Sequence, residues 1–312
     1  MNAPARPFTC KLHGLRIRSE MPLGGSACAE ESPDLTVCWG AEPTPPLAEP
    51  PGRVVASFTW NGGHGYTHTE TDTGYTLRFH GLCDMRIDRA RRAMDVHLSA
   101  GGDPGMVPLL VGGNALAFVL TLAGECILHA SAVQTNGSVL AFVGPAGMGK
   151  STLAALLCAS GGKLVTDDLL RLSPVGTGFR CFVGPAEIRL RSNAAELAAR
   201  LPGVAAAPTP DGRLAVRLEH DAGPMPRLDT VVIPRPVRTR TTLAVRRLGP
   251  AEALFALFRY PRVAGIRAPE VLENQFRAFA EVARTVRVYE AEIPWGPPFA
   301  PGLAEAIVEA VT

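Results

Sequence analysis

The sequence predicts an α/β protein whose front half is rich in β-strands. Three observations carry that expectation. Up to about residue 98, short apolar runs alternate with polar residues between turn signals, the mark of half-buried strands. From 107 to 124 a longer apolar stretch reads as a buried helix. After it, a strand, a glycine-rich loop and a helix follow in immediate succession.

In chain order, the first strands are expected at 10–17, 34–39, 53–60, 66–70, 75–80, 85–87 and 93–98. Gly62-Gly63 and Asp72-Thr73-Gly74 read as hairpin breaks, and the proline-rich stretch 43–51 as a loop, because proline lacks the backbone donor. Gly101 to Gly105 suggests a boundary, giving a β-rich domain at 1–105 and a second domain at 106–312. The stretch 107–124 has almost the length of a membrane span, but Gly112-Gly113-Asn114 interrupts it and basic flanks are missing. A buried core helix is the expectation, with no membrane partner. An apolar strand at 127–133 and the turn Asn136-Gly137 then predict an antiparallel hairpin that returns as the strand 139–143. Later strands are expected at 163–165, 170–172, 179–183, 214–218, 230–233 and 243–247, and helices at 193–201, 250–258, 269–284 and 303–311. The Ala/Pro-rich segment 204–210 reads as a surface loop.

Composition narrows the function classes. A 312-residue chain with 46% hydrophobic residues can bury a substantial core, and its formal charge of +2 argues against an electrostatically driven nucleic-acid binder. The densest basic cluster, Arg89-Ala90-Arg91-Arg92, reads as a solvated turn. Seven scattered cysteines form no C-x-x-C pair and read as small buried hydrophobes, and the N-terminal residues lack a signal-peptide core. A cytoplasmic location is expected.

Gly144-Pro145-Ala146-Gly147-Met148-Gly149-Lys150-Ser151, followed by Thr152, fits the phosphate-binding pattern G-x-x-x-x-G-K-[ST] in its required strand–loop–helix setting. Backbone N–H groups from Gly144, Ala146, Gly147, Met148 and Gly149 through Thr152 would cradle a nucleoside phosphate at a helix N-terminus. Lys150 would reach the β- and γ-phosphates and the Ser151 hydroxyl would hold Mg²⁺, so a nucleoside polyphosphate and Mg²⁺ are the expected ligands. His129, on the other strand of the predicted hairpin, can lie beside the loop. Asp167 and Asp168 end the strand after the loop helix and can return to the phosphate end. A carboxylate pair there can divide base and metal duties, although aspartates also cap turns and a core histidine also hydrogen-bonds backbone.

Leu128-His129-Ala130-Ser131-Ala132-Val133, Asn136-Gly137, the loop 144–152 and Thr166-Asp167-Asp168 together resemble the catalytic core of HPr kinase/phosphorylase-like proteins. The resemblance implies a phosphoenolpyruvate-carboxykinase-like P-loop fold and ATP-dependent phosphorylation of a serine hydroxyl. It implies catalytic roles for Asp167 as base, His129 as its support, Lys150 on the phosphates, and Asp168 in organising metal or phosphate. Ala186-Glu187-Ile188-Arg189 keeps the Glu and Arg of a later family signature, and Leu190-Arg191 stands where its glycine would be. Ser151, Asp168 and Glu187 are the expected metal set. Gly14 to Leu23 and Asp34-Leu35-Thr36-Val37 are similar to the opening of related kinases in peptide tailoring, among them those acting on lasso-peptide precursors.

The expected function is therefore phosphorylation of a serine in a peptide or small protein by a homo-oligomeric kinase. An HPr-type carrier-protein kinase, a small-molecule kinase and a non-catalytic nucleotide-sensing module are the alternatives. Neither an L-S-G-G-Q nor an N-K-x-D stretch occurs, which sets transport ATPases and signalling GTPases aside.

Overall fold

The computed structural model describes residues 7–29, 32–41, 49–59, 65–203, 206–218 and 224–312. Trp60, Gly62-Gly63, most of the proline-rich stretch and residues 204–205 of the Ala/Pro-rich loop lie outside them. The protein is mixed α/β and divides into two compact units, Met1–Gly124 with Val263–Asn274, and Glu125–Arg262 with Gln275–Thr312. The division falls after Gly124 and not near residue 105. The reason is that the apolar segment beyond 105 packs inside the first unit, where Phe118 meets His68 and Tyr75 edge-on.

The first unit is a nine-stranded sheet built from β1 (Phe8–Leu12), β2 (Leu15–Ser19), β3 (Ser26–Ala27), β4 (Leu35–Trp39), β5 (Arg53–Thr59), β6 (Gly65–Thr71), β7 (Gly74–Phe79), β8 (Cys83–Asp88) and β9 (Ala93–Leu98). Its order is β3-β1-β2-β4-β9-β8-β7-β6-β5. The single strand expected at 10–17 is a hairpin instead. His13 and Gly14 take left-handed φ values of 49° and 82°, which a continuing strand does not allow. Arg78 and Asp84 face each other across β7 and β8 and form two hydrogen bonds of 2.7 and 2.6 Å, a buried pair that satisfies both charges. The basic run 89–92 does form a turn, with Arg91 at φ 59°.

The helix expected at 107–124 is α1 (Val107–Leu110) and α2 (Leu116–Leu122), joined by a π-helical turn at Val111–Ala115 where Gly112-Gly113-Asn114 interrupts the apolar run. Asn114 Oδ1 lies 3.2 Å from His68 Nε2, and burial pushes His68 down to about 4, so the ring is neutral at pH 7. The run Pro104–Leu122 is long and apolar enough to cross a membrane by length and composition, and most of it is buried within the protein.

The second unit carries the loop. Its main sheet holds β10 (Cys126–Leu128), β11 (Ala130–Thr135), β12 (Ser138–Val143), β13 (Lys163–Thr166), β14 (Leu170–Val175) and β15 (Gly178–Cys181). A small separate sheet holds β16 (Glu187–Arg191), β17 (Ala207–Pro208) and β18 (Arg213–Arg217). The main sheet is completed by β19 (Arg227–Val237), β20 (Ala244–Arg247) and β21 (Arg287–Pro294). The unit's helices among the described residues are α3 (Lys150–Ala159), α4 (Ala195–Ala199), α5 (Pro250–Phe258) and α7 (Leu303–Val311), together with the part of α6 (Pro269–Thr285) from Gln275 onward. The central order is β10-β14-β15-β19-β12-β11-β13, with β21 on β19 and β20 on β21.

Alternation along these strands explains the layers. Phe142, Leu140, Val133 and Val232 face α3, α4 and α7, and the small sheet packs on the same side through Ile188, Leu190 and Val216. Ala141, Val143, Ala132 and Val231 face the other way, toward α5 and the C-terminal half of α6. The Asn136-Gly137 turn closes the expected hairpin, with both residues left-handed and Thr135 opposite Ser138. β11 also pairs antiparallel with β13, so this hairpin strand is inserted between β12 and the strand that follows the loop helix.

Candidate functional site

The strand expected at 127–133 breaks at His129. β10 pairs with β14 whereas β11 pairs with β12 and β13, so the chain changes partners there. This break sets His129 at the end of β11 that is in register with Val143, the residue just before the loop. Pro145, Ala146 and Gly147 at the loop's crown are exposed, and Gly147 and Gly149 take φ values of 88° and 79° that side-chain-bearing residues resist. At Gly149 a Cβ would lie 1.9 Å from Trp295 Cη2, so the indole rests directly on the loop backbone. Thr152 follows Lys150 and Ser151 in the first turn of α3.

Lys150 is buried, and its Nζ donates to the Pro145 carbonyl at 3.1 Å, folding back over the loop. Burial lowers its pKa to about 8, against the pull of Asp168 and Asp167 and with help from Arg262 and Arg213. Ser151 Oγ donates to Asp167 Oδ1 at 2.8 Å, and Ser131 Oγ donates to the same oxygen at 2.5 Å. The other oxygen, Oδ2, accepts the backbone N–H of Arg189 at 3.1 Å.

Asp168 is built differently. Its φ of 77° turns the two adjacent carboxylates apart, and the turn is held by Thr166 Oγ1 donating to the Leu169 carbonyl at 2.7 Å. The carboxylate contacts His129 Nε2 at 3.3 Å, Arg262 Nη2 at 2.6 Å and Arg189 Nη2 at 3.7 Å. Burial would raise its pKa, but Arg262, His129 and Arg189 outweigh burial and hold it well below the usual carboxylate range. Burial lowers His129 in turn, more than Asp168 raises it. The ring is therefore neutral at pH 7, and its contact with Asp168 is an N–H···O hydrogen bond and not an ion pair.

Asp167, expected as the base, is the carboxylate hydrogen-bonded to the loop's serine, and Asp168, expected on the metal side, is the one in contact with His129. Glu187, expected in the metal set, lies at the start of β16, in register with Arg217. Among the described residues, no group of three or more His, Cys, Asp or Glu is arranged to hold a metal ion. Ser151 Oγ beside Asp167 Oδ1 nevertheless offers the hydroxyl and single carboxylate that Mg²⁺ uses when phosphates and water supply the remaining ligands.

Ser131, Arg262, Asp211, Arg213 and Trp295 belong to the site and were not singled out from the sequence. Ser131 carried a signal, since it lies two residues beyond His129 on the same strand. Arg262 carried none: it reaches Asp168 through a long-range bridge between Leu128 and Pro261. Its Nε is buried and has no partner among the described residues, an orphaned donor on the side chain that holds Asp168. All seven cysteines are free thiols, but Cys28 and Cys38 are only half-buried, contrary to the expectation of uniform burial.

Among solved structures, the chain is similar to the HPr(Ser) kinase/phosphatase from Coxiella burnetii, at 13% identity and a TM-score of 0.30, over 59% of this chain and 94% of that one. No protein-family model matches the chain, and no curated protein matches it. A TM-score that low carries no inference, and the functional reading rests on the site itself.

Proposed function

We propose that the second unit is an ATP- and Mg²⁺-dependent kinase that moves the γ-phosphate to a hydroxyl, with a serine of a peptide or small protein as acceptor. One observation carries the reading: the loop's Ser151 is hydrogen-bonded to the first of two adjacent aspartates, and the second is oriented by His129. A loop that only sensed nucleotide would have no use for that second, separately supported carboxylate.

In this reading Lys150 and the loop N–H groups hold the triphosphate, and Ser151 with Asp167 hold Mg²⁺, which neutralises phosphate charge when bound. Asp168 orients the acceptor hydroxyl. The bond from Pγ to the ADP oxygen breaks, a bond from Pγ to the acceptor oxygen forms, and the hydroxyl proton passes to Asp168. Phosphate oxygens compete for the Arg262 and Arg189 forks that restrain Asp168 in the free protein. Their arrival therefore lifts the carboxylate toward the range a base needs. Kinship with phosphoenolpyruvate-carboxykinase-like P-loop kinases, and with the peptide-tailoring branch in particular, belongs to the same proposal. The antiparallel hairpin that feeds the loop supports the kinship in fold alone. A role for the first unit in acceptor recognition, a homo-oligomer and a cytoplasmic setting belong to the proposal as well.

Incubation of the full chain with ATP, Mg²⁺ and candidate acceptors, followed by mass spectrometry, tests the reading. A peptide with a C-terminal serine should gain one phosphate. Asp168→Asn, which preserves a residue tolerant of left-handed φ, should bind ATP normally and transfer roughly 10²–10⁴-fold more slowly. Asp167→Asn should instead raise the Mg²⁺ concentration needed for half-maximal activity. Transfer by Asp168→Asn at the wild-type rate would remove the base from this scheme, and ATP binding without acceptor-dependent ADP release would favour a sensor.

A further inference from the structure

We propose that Arg191 and Arg213 form a phosphate clamp, supplied by the chain itself, that grips the terminal phosphate of the bound nucleotide. The inference rests on the kinase reading for its chemistry and on the small sheet for its geometry. Ile188 and Leu190 of β16 are buried beside α3, so alternation turns Glu187, Arg189 and Arg191 to the opposite face. On that face Arg189 already reaches Asp168 at 3.7 Å and Asp211 at 3.3 Å. Two residues further on, Arg191 Nη2 lies 3.4 Å from where a Cβ of Gly147 would stand, at the exposed crown of the loop.

The charges at this point do not balance. Arg191 and Arg213 face each other directly across β16 and β18, and like charges in that position repel. Asp211 compensates Arg213 at 3.4 Å but is shared with Arg189 at 3.3 Å. Arg191 is exposed and has no carboxylate partner among the described residues. An opposed pair of guanidinium groups next to a phosphate loop is relieved by a multivalent anion, and the planar fork matches phosphate oxygens two at a time. At the crown, the anion within reach is the outermost phosphate. The clamp would act as bond breaking spreads charge over the oxygens of the moving phosphoryl group, where an arginine is worth roughly 10³–10⁵ in turnover.

The test is titration of wild type, Arg191→Ala, Arg191→Lys and Arg213→Ala with ATP and with ADP in Mg²⁺, alongside transfer rates. Arg191→Ala should weaken ATP about tenfold or more while ADP affinity stays the same, because only ATP presents the gripped phosphate. Transfer should fall about 10³-fold, and Arg191→Lys should recover binding better than rate. Arg213→Ala should move the ATP-to-ADP ratio in the same direction by less. An unchanged ratio in Arg191→Ala overturns the clamp even if wild type transfers phosphate. A shifted ratio in a protein that transfers none supports the clamp and sinks the kinase reading alone, whereas wild-type binding of neither nucleotide ends both.

Discussion

Lys150 is the residue whose charge depends most on what fills the loop. Burial places it at about 8 in the free protein, so near pH 8 it is only partly protonated. A polyphosphate beside it favours the charged form and raises that value. Nucleotide binding at pH 8 should then take up about half a proton, and affinity should fall as pH climbs past 8. Calorimetry in two buffers of different ionisation enthalpy reads the uptake directly. Identical apparent enthalpies in the two buffers would show that Lys150 is already charged before the ligand arrives. Sequence alone identified this lysine and both aspartates because a fixed spacing exposes them. It could not show which aspartate meets Ser151 and which meets His129, an arrangement that goes with the left-handed φ of Asp168.

At the level of elements, the loop is held in place by its neighbours as much as by its own glycines. Trp295 lies on Gly149 and meets Phe299 edge-on, with ring centroids 5.1 Å apart. Gly149→Ala brings a methyl into the indole and forces alanine into a left-handed φ, a strain of about 1–3 kcal/mol. The variant should remain folded and lose most of its ATP affinity, measured by titration. Adding Trp295→Ala should restore part of it, since the collision goes and the backbone strain stays. Wild-type binding by Gly149→Ala alone would mean that the loop has another way to close. The glycine's need for a positive φ follows from its place in the motif. The indole was illegible, because 146 positions separate Trp295 from Gly149 in the chain and no pattern links them.

Across the whole molecule, local signals were the readable ones. The hairpin at Asn136-Gly137, the strand–loop–helix and most strands of the first unit could be read from turn residues and alternation. β16 and β21 escaped notice, the former because charges alternate with its two buried residues and the latter because its polar positions interrupt the apolar pattern. The break at His129 was hidden because Ile127 to Val133 reads as one mostly apolar strand, and only the change of pairing partners separates β10 from β11. That short hairpin also has a consequence in time. Its turn spans two residues, so β11 and β12 can zip together within microseconds of meeting, long before the chain finds the pairing of β12 with β19 some 90 residues away. The two strands that present His129, Ser131 and the loop are thus among the cheapest contacts in the unit to form. Their alignment is set by the turn and does not wait for the rest of the sheet.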